Sequence, residues 1–121
     1  MPVRKILVVD DSPTERFFLN DVLSKNGYQV MLAESGEQGV EKAKKDRPDA
    51  ILMDVVMPGM NGFQATRLLS KEDTTRDIPV IMCTTKDQET DRIWGMRQGA
   101  REYLVKPVDT QALLKAIAAL G

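Results

Sequence analysis

Five short apolar runs, each followed by a stretch of helical periodicity, recur from end to end of this 121-residue chain. Strands alternating with helices in this way call for a parallel sheet, since parallel neighbours can be joined only by a crossover. The sequence predicts strands at Lys5–Val9, Gln29–Ala33, Ala50–Met53, Pro79–Cys83 and Glu102–Val105. ILVV, AILM and VIMC are almost wholly apolar, as suits central strands covered on both faces; QVMLA and EYLV are more mixed and suit edges.

The helices announce their starts. Ser12-Pro13-Thr14-Glu15 combines an N-cap serine, proline at the first helical position and glutamate at N3, the pattern of a capping box. Phe18, Val22 and Leu19, Leu23 then give a buried stripe that stops at Asn26-Gly27, where glycine can take the left-handed conformation. Ser35-Gly36-Glu37-Gln38 repeats the box for a second helix. Asn61-Gly62-Phe63-Gln64 opens a third, with Phe63, Ala65, Leu68 and Leu69 available to the sheet. A fourth runs from Gln88 to Gln98, interrupted by Gly95 and ended by Gly99; a fifth starts near Asp109, with Leu113, Leu114, Ile117 and Leu120 as its apolar side. Five β/α units with no linker and no repeat make residues 1–121 a single α/β domain with no output domain.

Several function classes fall away. Net charge of −1 provides no basic footprint for nucleic acid and no polybasic membrane patch. No stretch is long enough to cross a bilayer, and Asp10 and Asp11 end the first apolar run too soon for a signal peptide. The lone Cys83 cannot form an internal disulfide, which fits a reducing cytoplasm. Histidine is absent, excluding Ser-His-Asp and Cys-His catalysis and His-based metal sites.

Ligands of open parallel sheets gather outside the carboxyl ends of the strands. Those ends carry Asp10 and Asp11 after the first strand, Asp54 after the third, Thr84 and Thr85 after the fourth, and Lys106-Pro107 after the fifth. Three neighbouring carboxylates repel one another unless a cation joins them. Oxygen-only ligands point to a hard ion, and so few of them favour Mg2+, which keeps several waters, over calcium. A carboxylate neutralised in that way, beside a lysine and a hydroxyl, suits the acceptance of a phosphoryl group.

The ordered set "VVDDS", "LMDVVMPGMNG", "VIMCTT" and "YLVKPV" resembles a response-regulator receiver domain of the CheY type over essentially the whole chain. "GFQATR" and "TTKDQETDRIWGMRQGAREYLVKPVD" further resemble the single-domain receivers of pilus-motility chemosensory systems, the PilH type. The resemblance implies a flavodoxin-like doubly wound sheet of order 2-1-3-4-5 with five helices. It implies Asp54 as the phosphoacceptor, Mg2+ held by Asp11 directly, Asp10 partly through water, Asp54 and the main-chain carbonyl of Val56. Thr84 would hydrogen-bond the phosphoryl group, Lys106 would neutralise it before a cis Lys106-Pro107 bond, and Tyr103 would be the aromatic switch.

The implied partners are a sensor histidine kinase or phosphotransfer domain as donor and a motility or other target protein, met through the fourth helix, fifth strand and fifth helix. Draining phosphate from a shared kinase is an alternative output. Val56 and Lys86, two residues beyond the acceptor and the switch threonine, are departures that leave the phosphoryl lifetime open, as does the bulk of Thr85. An enzyme with a separate phosphorylated substrate would need a second acid where Val56 stands. A module indifferent to phosphorylation would have no use for the full set of acids, threonine and lysine. Cys83 reads as inert core, Trp94 as either a partner contact or helix packing, and the charged run Glu41 to Arg47 as a solvated helix face.

Overall fold

The computed structural model describes residues 2–121, and in it the five units fold as one α/β sandwich. The strands are β1 (Lys5–Val9), β2 (Gln29–Ala33), β3 (Ala50–Met53), β4 (Val80–Thr84) and β5 (Glu102–Val105). The helices are α1 (Pro13–Lys25), α2 (Gly36–Asp46), α3 (Gly62–Lys71), α4 (Glu89–Gln98) and α5 (Thr110–Ala118). All strand pairs are parallel and the order is β2-β1-β3-β4-β5, so the mixed strands are the edges, as expected.

The pleat sends alternate residues to opposite faces. Ile6, Val8, Leu52, Ile81 and Cys83 pack with Leu19 and Leu23 of α1 and Leu113 and Ile117 of α5. Leu7, Val9, Ile51, Met53 and Val80 face the other way, onto Val40 and Ala43 of α2 and Ala65 and Leu69 of α3. A smaller cluster joins Val55, Met82, Ala100 and Tyr103, with Phe63 at its margin.

Local chemistry follows the sequence with instructive differences. Asn61 and Gln64 make the full reciprocal cap of α3, at 2.9 Å in both directions. In α1 only half of the expected box forms, the Ser12 hydroxyl accepting from the Glu15 N–H at 3.3 Å. In α2 the Gln38 side chain passes its own N-cap and accepts from Glu34 N–H, 2.7 Å away. Phe18 and Leu68, expected in the core, are 38% and 43% exposed; a turn of 100° per residue places them beside the seam filled by Leu19 and Leu69. β4 begins and ends one residue later than expected, so Thr84 is the last residue of the strand, paired with Val105. Gly95 does not break α4: a β-carbon there would stand 2.8 Å from Met82 Sδ and 3.1 Å from the Tyr103 ring, so the helix can approach the sheet only without one.

A candidate phosphoacceptor site at the strand ends

β1 leads to β2 on one side of the sheet and neighbours β3 on the other, so the order of strands reverses between β1 and β3. A crevice opens at such a reversal. Val9 and Met53 are register partners, and the Asp54 N–H donates to the Val9 carbonyl at 2.9 Å, which sets Asp10 and Asp54 side by side as the chains leave the sheet. Carboxylate oxygens of Asp10, Asp11 and Asp54 all lie within 4.8 Å of one another. Asp10 and Asp54 are buried and Asp11 is exposed at the mouth. β5 delivers Lys106 from the far side, its N–H donating to the Thr84 carbonyl at 2.8 Å, and the Lys106-Pro107 bond is cis.

The lysine prefers one acid. Its Nζ lies 2.7 Å from Asp10 Oδ2 and 3.5 Å from Asp54 Oδ2. Asp10 is further held through Oδ1, which accepts from the Ser12 N–H at 3.0 Å, and Asp54 through Oδ1, which accepts from the Val55 N–H at 2.8 Å. The contact of Lys106 with Asp54 Oδ2 is thus the looser of its two. Burial, then the charge of Asp10, raise the Asp54 pKa above its usual value, with Lys106 opposing them. Burial alone would lower the Lys106 pKa, but the hydrogen bond to Asp10 and the charges of Asp54 and Asp10 outweigh it and hold the ammonium protonated.

Thr84 is wholly buried, and its hydroxyl oxygen accepts from the Lys86 N–H at 3.3 Å, leaving its own proton to give. Tyr103 points inward, and its hydroxyl donates to the Lys86 carbonyl at 2.8 Å. One residue, Lys86, thus ties threonine to tyrosine through its main chain. Val56, the remaining residue expected here, exposes its side chain beside the acids (54%), and the Lys86 ammonium pairs with Asp91 at 3.5 Å.

Two contributors escaped sequence reasoning. Arg16 donates through Nη1 to the Asp10 carbonyl at 2.8 Å and through Nη2 to Glu34 at 3.2 Å, anchoring the turn that carries both acids. Only its position one turn into α1, with Glu34 following β2, hinted at this. Gly62 packs on the acceptor's own backbone, where any β-carbon would collide with the Asp54 carbonyl oxygen. The glycine in "PGMNG" carried that signal, although the sequence alone suggested only a helix start.

Buried carboxylates converging with a lysine and a threonine at a sheet's reversal point define a receiver, a module built to carry a phosphoryl group on aspartate. Residues 6–118 match the response regulator receiver domain family, and the chain belongs to it. It is 60% identical over 116 residues to the protein PilH of Pseudomonas aeruginosa, covering 96% of each chain. It is similar to the chemotaxis protein CheY4 of Vibrio cholerae, with a TM-score of 0.91, 34% identity and 98% and 99% of the two chains covered. It is also similar to the receiver domain of a sensor histidine kinase from Pseudomonas aeruginosa (TM-score 0.90, 32% identity, 98% and 97% covered), a structure with a magnesium ion coordinated in its active-site cleft. Among the described residues no helix is long and apolar enough to cross a membrane.

Proposed function

We propose that this receiver relays a signal by accepting, on Asp54, a phosphoryl group from the phosphohistidine of a sensor kinase or phosphotransfer domain, with Mg2+ as cofactor. The convergence of Asp10, Asp11 and Asp54 within 4.8 Å carries this reading, since oxygen donors packed that closely suit a small divalent ion. Asp10, Asp11 and Asp54, with the Val56 carbonyl, would hold it. When bound, magnesium offsets the acids' charge and that of the incoming phosphoryl oxygens.

The chain's own residues do the rest. Asp54 Oδ2 attacks phosphorus, the bond to the donor's imidazole nitrogen breaks with its electron pair left on that ring, and an acyl phosphate forms. Lys106, already within 3.5 Å of Asp54, neutralises a phosphoryl oxygen. Thr84 turns its hydroxyl proton to another. That turn disturbs the hydrogen bond from the Lys86 N–H, and through the Lys86 carbonyl it reaches Tyr103. The packing of α4, β5 and α5 then shifts between two populations that a target protein distinguishes. The chain acts on no separate substrate; it promotes only its own phosphorylation and dephosphorylation. The extent of identity to PilH supports a place in chemotaxis-like control of type IV pilus twitching, in the cytoplasm.

Acetyl phosphate and Mg2+ should add one phosphoryl mass to the wild type that alkaline hydroxylamine removes and that Asp54→Asn does not acquire. An Asp54→Asn chain phosphorylated to the same extent would move the acceptor elsewhere and overturn the proposal.

A further inference from the structure

We propose that Arg16 is a positioning residue for the magnesium site: its guanidinium fixes the backbone at Asp11 and so sets the affinity of the acids for the ion. This rests on the assignment of Asp11 as a ligand of that ion. Asp11 is the acid that needs such help. It is exposed at the mouth, and among the described residues its carboxylate meets no cation and no hydrogen-bond donor. With no side-chain contact to aim it, its direction must come from its two backbone torsions.

Both peptide planes beside Asp11 are held. The plane before it carries the Asp10 carbonyl, which accepts from Arg16 Nη1 at 2.8 Å. The plane after it carries the Ser12 N–H, which donates to Asp10 Oδ1 at 3.0 Å. The Ser12 carbonyl accepts from the Arg16 N–H at 3.0 Å, so one residue grips the turn at both ends, by side chain and by main chain. Asp10 is fixed in other ways, its N–H donating to the Ala33 carbonyl at 3.1 Å and its Oδ2 lying 2.7 Å from Lys106. Without the guanidinium, the plane between Asp10 and Asp11 alone is released, and Asp11 turns with it.

The guanidinium is itself aimed. The Arg16 side chain is 14% exposed, whereas Arg76 and Arg92, which also form ion pairs, are 60% and 49% exposed. A guanidinium so far out of water must have its hydrogens used, and its planar fork serves two partners at once. Nη2 reaches Glu34 at 3.2 Å, and the Glu34 N–H is tied to the Gln38 side chain at 2.7 Å. This gives the Gln38 side chain a reason to pass its own N-cap: it steadies the residue against which Arg16 leans. Outer partners that orient metal ligands commonly change affinity by about ten- to a hundredfold. Charge alone argues the other way, since a cation beside the acids repels a divalent ion and its loss would tighten binding. The sign of the change therefore separates positioning from electrostatics.

The test titrates MgCl2 into the full chain at constant ionic strength and follows backbone amides by 1H–15N NMR. Wild type should bind saturably, with shifts around Asp11 and Asp54. Arg16→Gln, which loses the charge, should bind about tenfold more weakly. Arg16→Lys, which keeps the charge but lacks the fork, should also bind more weakly, by a smaller factor. Before metal is added, the Asp11 three-bond HN–Hα coupling, which reports φ, should move in both variants toward an averaged value. Each variant's own spectrum reports that it is folded. Equal or tighter binding by Arg16→Gln, wild-type affinity in Arg16→Lys, or an Asp11 coupling unmoved in both would overturn the proposal. A wild type that takes up no Mg2+ would instead overturn the assignment of the acids as a metal site, and this inference with it.

Discussion

Removing the acceptor charge should make this protein more stable. Asp10 and Asp54, both buried and with carboxylate oxygens within 4.8 Å of each other, repel by at least about 3.5 kcal/mol when both are ionised, at an effective dielectric near 20. Lys106, at 3.5 Å, returns about 4.7 kcal/mol to Asp54 on the same scale. The Asp10 and Lys106 contributions nearly cancel, so burial of Asp54 and the water-screened repulsion from Asp11 decide the sign. Burial is the largest influence on Asp54 and acts against its charge. Asp54→Asn leaves no charge orphaned, because Lys106 keeps Asp10 at 2.7 Å. A gain of about 1–3 kcal/mol is therefore expected at neutral pH in a chelating buffer. With an unfolding entropy of roughly 0.25 kcal/mol/K for a domain of this length, Tm should rise by about 4–12 °C in calorimetric melts. A raised carboxylate pKa means that ionisation of Asp54 weighs against the fold above that pKa and is without effect well below the ordinary value of 3.8. The advantage of Asp54→Asn should accordingly shrink as pH falls toward 3.8, and shrink also when Mg2+ is added at neutral pH. An unchanged or lower Tm for Asp54→Asn in chelator, or a gap that widens on acidification, would refute the electrostatic reasoning.

The opposite substitution should have the opposite sign: Lys106→Met strands the buried Asp10 and is expected to lose about 3 kcal/mol in urea unfolding, part of it restored by Mg2+. Gly95→Ala forces a β-carbon against Met82 and Tyr103, at an expected loss of about 1–3 kcal/mol. In the same variant the Tyr103 phenol, pushed up to about 12 by burial, should ionise nearer 10 in an absorbance titration if the ring has been displaced outward. Cys83, whose thiol burial pushes up to about 12, should resist a disulfide reagent at mildly alkaline pH until denaturant is added; rapid labelling of the native chain would show that the core opens.

What the sequence made legible has a common physical origin. The edge places of β2 and β5 follow from apolar run composition, the full strand order from the family's ordered motifs, and the meeting of Asp10, Asp11, Asp54 and Lys106 from their places just beyond strand ends, because chemistry at the end of a strand is fixed by the strand. Contacts made across helices were harder to see. Whether Phe18 or Leu19 fills the seam depends on a rotation of one residue, which spacing alone does not resolve. Gly95 looked like an interruption because its purpose, making room for Tyr103, lies on another element. Arg16 holds the Asp10 carbonyl through a main-chain contact that leaves no mark in residue type.

The ion pair between Lys106 and Asp10 closes a span of 96 residues, from one end of the chain nearly to the other. A ribosome-bound segment therefore has no finished acceptor until the fifth strand has emerged and found the fourth. A clipped chain that loses that strand forfeits the lysine altogether. Such a layout makes the assembled pair of acid and lysine a property of the wholly folded domain, absent from every shorter intermediate of its synthesis.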